Sequence, residues 1–145
     1  MIKVDVKPYR MKHAVTNEEW DEDFGEEMYE VGATVDTGVD VCYASRFLIS
    51  KLQVKEKYIT KEKAFIRAAS GGIIKFVGYI RISMWAETGH SIAKLWIRDS
   101  LPGRDFGIDR GTAEELGIIP TLNKEAFEDY SETAGYKLYK LNYGI

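Results

Sequence analysis

The chain has 145 residues, 45% of them apolar and 30% charged, with a formal net charge of −3. That length and composition fit one domain able to bury its own core without disulfides or metal, and a net acidic chain is a poor general nucleic-acid binder. The single cysteine, Cys42, excludes an internal disulfide, and two distant histidines, His13 and His90, leave no zinc spacing and little basis for a Ser/His triad.

The opening "MIKVDVKPYRMKH" alternates apolar and charged residues and has no long apolar core of a signal peptide. No run reaches the length of a membrane span. The expectation is a cytoplasmic protein, or a piece released from something larger, with no membrane or nucleic-acid partner. Ile2, Val4 and Val6 recur with a period of two, which predicts a strand with one buried face, limited by Pro8. "TNEEWDEDFGEE" (residues 16–27) is acidic without apolar period; it reads as a solvated loop, the alternative being a contact with a basic partner.

"MYEVGATVDTG" reads as a strand running into a turn, and "DVCYASRFLISKL" as a short strand followed by a helical turn. "AFIRAASGGIIKFVGYIRISMW" reads as two β arms around a Gly71-Gly72 turn, the second arm alternating through Ile80, Ile82 and Met84. "AETGH" is a further turn, and "SIAKLWIRD" a strand with Ile92, Lys94 and Trp96 on one side. "DRGTAEELG" predicts a short helix capped by Thr112, with Glu114 and Glu115 in its first turn, Gly117 as its stop and Pro120 beyond. A weaker helix is expected over "NKEAFEDYSETA", from Asn123 to the stop at Gly135, and "YKLYKLNY" reads as a closing β segment. Many short strands with one or two short helices indicate a mostly β barrel or sandwich. The chain reads as one domain, residues 1–145, without repeats or linkers.

Asp36 lies where the small, apolar "VGATV" meets Gly38, which permits a sharp turn. Such a position suits a carboxylate held by a rigid strand beside an exposed loop. It equally suits an Asx-turn with no chemistry attached.

The order of elements bears on that choice. "VDTGVDV" resembles the hydrophobic-hydrophobic-Asp-Thr/Ser-Gly signature of the retropepsin-like (retroviral-type) aspartic proteases. "IRAASGGIIKFVGY" resembles their flap hairpin, "ETGHSIAKLWIRD" the paired strands after the flap, and "DFGIDRGTAEELGI" their apolar-Gly segment and short helix. The resemblance spans about residues 30–119 and leaves 1–29 and 120–145 unassigned. It implies a closed β-barrel of the acid-protease fold with a flap, and an aspartic endopeptidase needing no metal or cofactor.

A chain with one Asp-Thr-Gly would complete such a site only as a homodimer, each copy bringing Asp36. Two close carboxylates share one proton, so the ionised one activates water while the protonated one holds the scissile carbonyl. This dyad is the standard worked case of like carboxylates sharing a proton. The resemblance assigns Thr37 to a hydroxyl tie between the two loops, and Gly38 and Asp40 to the substrate main chain. It assigns Ala68, Ala69, Ser70, Gly71 and Gly72 to the flap tip over an extended peptide bound by strand addition, and Gly107 to packing under the loop. Val39 departs from the family's usual Ala or Ser and would narrow the site floor. The flap carries Ala-Ala-Ser where viral members have more glycine. These departures motivate the alternative, a non-catalytic module of the same fold for dimerisation or peptide binding. In the family the chain termini commonly build the dimer sheet; "YKLYKLNYGI" would do so here or pack on its own subunit. Cys42 reads as a buried structural thiol, His90 as a surface residue, and Trp85 and Trp96 as packing residues.

Overall fold

The computed structural model describes residues 2–9, 16, 28–36, 38–67, 72–98, 106–119 and 138–140. The strands are β1 (Ile2–Pro8), β2 (Tyr29–Val35), β3 (Cys42–Ala44), β4 (Thr60–Arg67), β5 (Ile73–Trp85), β6 (His90–Arg98), β7 (Phe106–Ile108) and β8 (Leu138–Lys140). Two short helices, α1 (Arg46–Lys51) and α2 (Arg110–Glu115), and one 3-10 turn (Glu56–Tyr58) complete the described elements.

Strands run in the order β1-β2-β7-β3-β6-β5, and β1 also pairs with β5, so six strands close into a barrel. The mostly β closed barrel expected from the sequence is therefore present. β1 closes it because it offers both edges. Asp5 lies opposite Glu30 on β2 and opposite Trp85 on β5. Two pairings are parallel, β2 with β7 and β3 with β6, and these bring segments far apart in sequence side by side. The alternation read in β1 holds, with Val4, Val6 and Pro8 facing in and Lys3 and Asp5 exposed.

The barrel interior is filled by Val4, Val6, Val31, Ala33, Ile80, Ile82, Met84, Leu95, Ile97 and Ile108, with Leu48 of α1 and Ala113 and Leu116 at α2 sealing it. A second cluster lies apart from it: Val39, Ala64, Ile66, Phe76 and Trp96, all buried. It exists because β5 is longer than the barrel needs. Its first half leaves β1 behind and pairs with β4, and an irregularity in the β5–β6 register between Phe76 and Gly78 turns Phe76 to the opposite face from Ile80. Phe76 then meets Trp96 at 5.9 Å and Tyr43 at 6.4 Å between ring centroids.

The cap of α2 corrects the sequence reading. Asp109, not Thr112, is the N-cap; its Oδ1 accepts from the Thr112 backbone N–H at 2.7 Å. Thr112 is the third helical residue and is buried, its hydroxyl oxygen accepting from the Cys42 thiol at 3.4 Å. Glu114 and Glu115 accordingly stand at the end of the helix, and its first turn holds no acidic residue. Gly117 does stop it, at φ +73°, where a side chain would be strained. The hairpin-tip residues 68–71, Pro120, the second helix expected over 123–134 and most of the closing segment lie outside the described residues. What is described of the tail, β8, pairs with β4 of its own chain, Phe65 opposite Tyr139.

Candidate functional site

β2 ends at Val35, and its parallel partner β7 positions the turn beyond it. Thr34 and Val35 lie beside Gly107 and Ile108. The Asp36 backbone N–H donates to the Ile108 carbonyl at 2.9 Å, so the first loop residue is still tied to the sheet. The chain then turns at once. Val39 N–H donates to the Asp36 carbonyl at 3.2 Å, and Gly38 N–H donates to Asp36 Oδ1 at 3.3 Å. Asp36 is thus an Asx-turn carboxylate on a sheet-anchored turn, half-buried rather than enclosed. One of its oxygens is oriented by the turn, an arrangement that fixes the carboxylate without consuming both acceptors.

Gly107 sits between Thr34 on one side and Tyr43 on the other. A Cβ there would collide with the Cε1–Cζ edge of the Tyr43 ring. The requirement for glycine at this position is steric: the Tyr43 side chain packs against the strand whose next residue anchors Asp36. Sequence reasoning gives Gly107 its place under the loop through resemblance alone and does not single out Tyr43.

The other expected site residues divide. Gly38 is in the turn with Asp36, and Asp40 comes next on the surface. Val39 does not line an open floor within the single chain. It is 3% exposed and packs among Ala64, Ile66, Phe76 and Trp96. The turn that holds Asp36 is thereby fastened, through Val39, to the β4–β5 hairpin at Ala64, Ile66 and Phe76. Gly72 is exposed at the start of β5. Thr37, Ala68, Ala69, Ser70 and Gly71 lie outside the described residues.

A second carboxylate near this region escapes the sequence reading. Burial pushes the Asp109 carboxyl above the usual range; the Thr112 backbone and side-chain hydrogen bonds oppose the rise, and the charges of Asp40 and Glu115 add to it. The signal is present in "DRGT", in which Asp precedes Thr by three residues, but both residue types cap helices, and only the fold selects Asp109. Cys42 is buried beneath, its thiol pushed up to about 12, first by burial and then by the Asp109 charge. It is a protonated structural thiol at neutral pH, as expected from sequence.

His90 is exposed and stacks on Trp85 at 4.7 Å between centroids, while Trp96 is buried in the second cluster. Among the described residues no group of three or more His, Cys, Asp or Glu side chains is arranged to hold a metal ion. Among them, too, no helix is long and apolar enough to cross a membrane. No protein-family model matches the chain, and a search of the curated proteins found no match.

Proposed function

We propose that the chain is a retropepsin-like aspartic endopeptidase that works as a homodimer and cleaves peptide bonds with water activated between the two Asp36 carboxylates. The observation that supports this reading most is the placement of Asp36: first residue past a barrel strand, N–H tied to Ile108, one carboxylate oxygen held by Gly38 N–H. The barrel supplies rigidity, and the second oxygen is left for the partner's carboxylate or for water. With one proton shared, the ionised Asp36 takes a proton from water and the protonated one supports the scissile carbonyl; the roles reverse as the amine leaves. The long β4–β5 hairpin, packed on the same turn through Val39, is the element that would cover an extended peptide.

The second reading, a non-catalytic dimerisation or peptide-binding module, is favoured by one feature. Asp36 already satisfies a turn hydrogen bond within a single chain, which is a structural role complete in itself. A cleavage assay on a mixed peptide library, run across pH, separates the two. The proteolytic reading predicts cleavage in mildly acidic solution that disappears in Asp36→Asn. A dimer that never cleaves selects the binding module. Equal cleavage by wild type and Asp36→Asn removes Asp36 from the chemistry.

A further inference from the structure

The outer face of β1, β5 and β6 carries charges that the Asp36 turn does not use. Ile80, Ile82 and Met84 of β5 point into the barrel, so Tyr79, Arg81, Ser83 and Trp85 lie outside. The register sets Arg81 directly opposite Lys94 of β6, and sets Ser83 between Lys7 of β1 and Ile92 of β6. Arg81 and Lys94 are both exposed, and like charges directly opposite one another weaken an antiparallel pair. Among the described residues, no carboxylate forms an ion pair with Lys7, Arg81 or Lys94. Ile92, beside them, is 44% exposed. Three cations, Lys7, Arg81 and Lys94, thus surround an exposed aliphatic side chain, and the carboxylate of Asp5 on the same face of β1 stands at its Trp85 end.

We infer that this face docks an extended, carboxylate-rich peptide segment that also carries an apolar residue. Carboxylates along such a segment answer Arg81, Lys94 and Lys7 and relieve the repulsion of the opposed pair, while the apolar residue covers Ile92. A peptide fits better than a single-stranded nucleic acid. Base recognition on a sheet face needs free aromatic faces. Here the Lys94 ammonium lies 4.5 Å from the Tyr79 ring centroid, and the Lys7 ammonium lies 5.6 Å from that of Trp85, which also stacks on His90. The inference stands independently of the Asp36 reading, since it requires neither a dimer nor cleavage.

The test is fluorescence anisotropy of the full chain with a labelled Glu/Asp-rich decapeptide containing one leucine. The face predicts saturable binding that weakens with added salt and is about tenfold or more weaker in Arg81→Glu. Arg81→Gln, which changes charge without reversing it, gives a smaller loss and guards against a variant that misfolds. The free Arg81→Glu protein is expected to melt above wild type, because the opposed pair becomes attractive. Absence of saturable binding, or equal binding by wild type and Arg81→Glu, overturns the inference. Preferential displacement by a thymidine decanucleotide reassigns the face to nucleic acid and overturns it as well. So does salt-sensitive self-association abolished by Arg81→Glu, which makes a second copy the occupant.

Discussion

Gly107 and Tyr43 form a contact in which one extra carbon has nowhere to go. Gly107→Ala is expected to destabilise the chain by about 3 kcal/mol, because both the Tyr43 ring and the β7 backbone are held by neighbouring strands. Denaturant unfolding measures it, and a companion Tyr43→Ala should recover much of the loss if the clash is the cause. Asp109 makes a prediction with a sign. Its folded carboxyl sits above the ordinary value of 3.8, so the folded state holds a proton there that the unfolded state has released. Stability therefore falls as pH rises from about that value through the raised one, and the contribution is largest in acid. Asp109→Asn keeps a cap acceptor and flattens that slope, whereas Asp109→Ala also loses the cap, about 1 kcal/mol. Thermal melts between pH 3 and 7 distinguish them; an unchanged slope in Asp109→Asn would assign the pH dependence elsewhere.

At the scale of elements, the strands are legible where one face is buried and the other wet. β1 alternates cleanly and its sequence pattern matches the fold, as do Ile80, Ile82 and Met84 of β5, whereas Ser83 of β5 and Ser91 of β6 are buried and Ile92 is exposed against their polarity. Two features are not legible, for physical reasons. The α2 cap depends on which of Asp109 and Thr112 the fold buries, and a local pattern holds no record of that. The second cluster depends on the register irregularity at Phe76 and on Val39 folding under a hairpin more than 20 residues away, so the sequence suggests a site-floor residue where the fold has a core one. The burial of Val39 leads to a direct expectation: Val39→Ala should lower stability by about 2 kcal/mol through lost methyl burial and a cavity among Ile66, Phe76 and Trp96. Amide exchange should show the loosening at β4 and the Asp36 turn, with β1 and β2 unaffected. Loosening spread evenly over the barrel would mean the cluster is not a separate unit.

At the scale of the molecule, the strand pattern gives the mostly β class, while barrel closure is expected from the resemblance and not from the pattern. Many short strands imply a barrel or sandwich; the second pairing of β1, with β5, is what decides for a barrel, and it is non-local, as are the parallel pairings of β2 with β7 and β3 with β6. The site is similarly divided. Asp36 at a strand end and Gly38 beside it are readable from "VGATVDTG", whereas the Ile108 anchor and the Tyr43 ring over Gly107 emerge only when β7 is placed between β2 and β3.

The central proposal is that a complete catalytic site takes one Asp36 from each of two chains. The most direct measurement is the cleavage rate of mixtures of wild-type and Asp36→Asn chains at constant total concentration, after full subunit exchange. The account predicts a rate that falls as the square of the wild-type fraction, since only pairs carrying two aspartates turn over. A rate that falls in simple proportion to that fraction would mean each chain cleaves by itself, and would contradict the shared dyad.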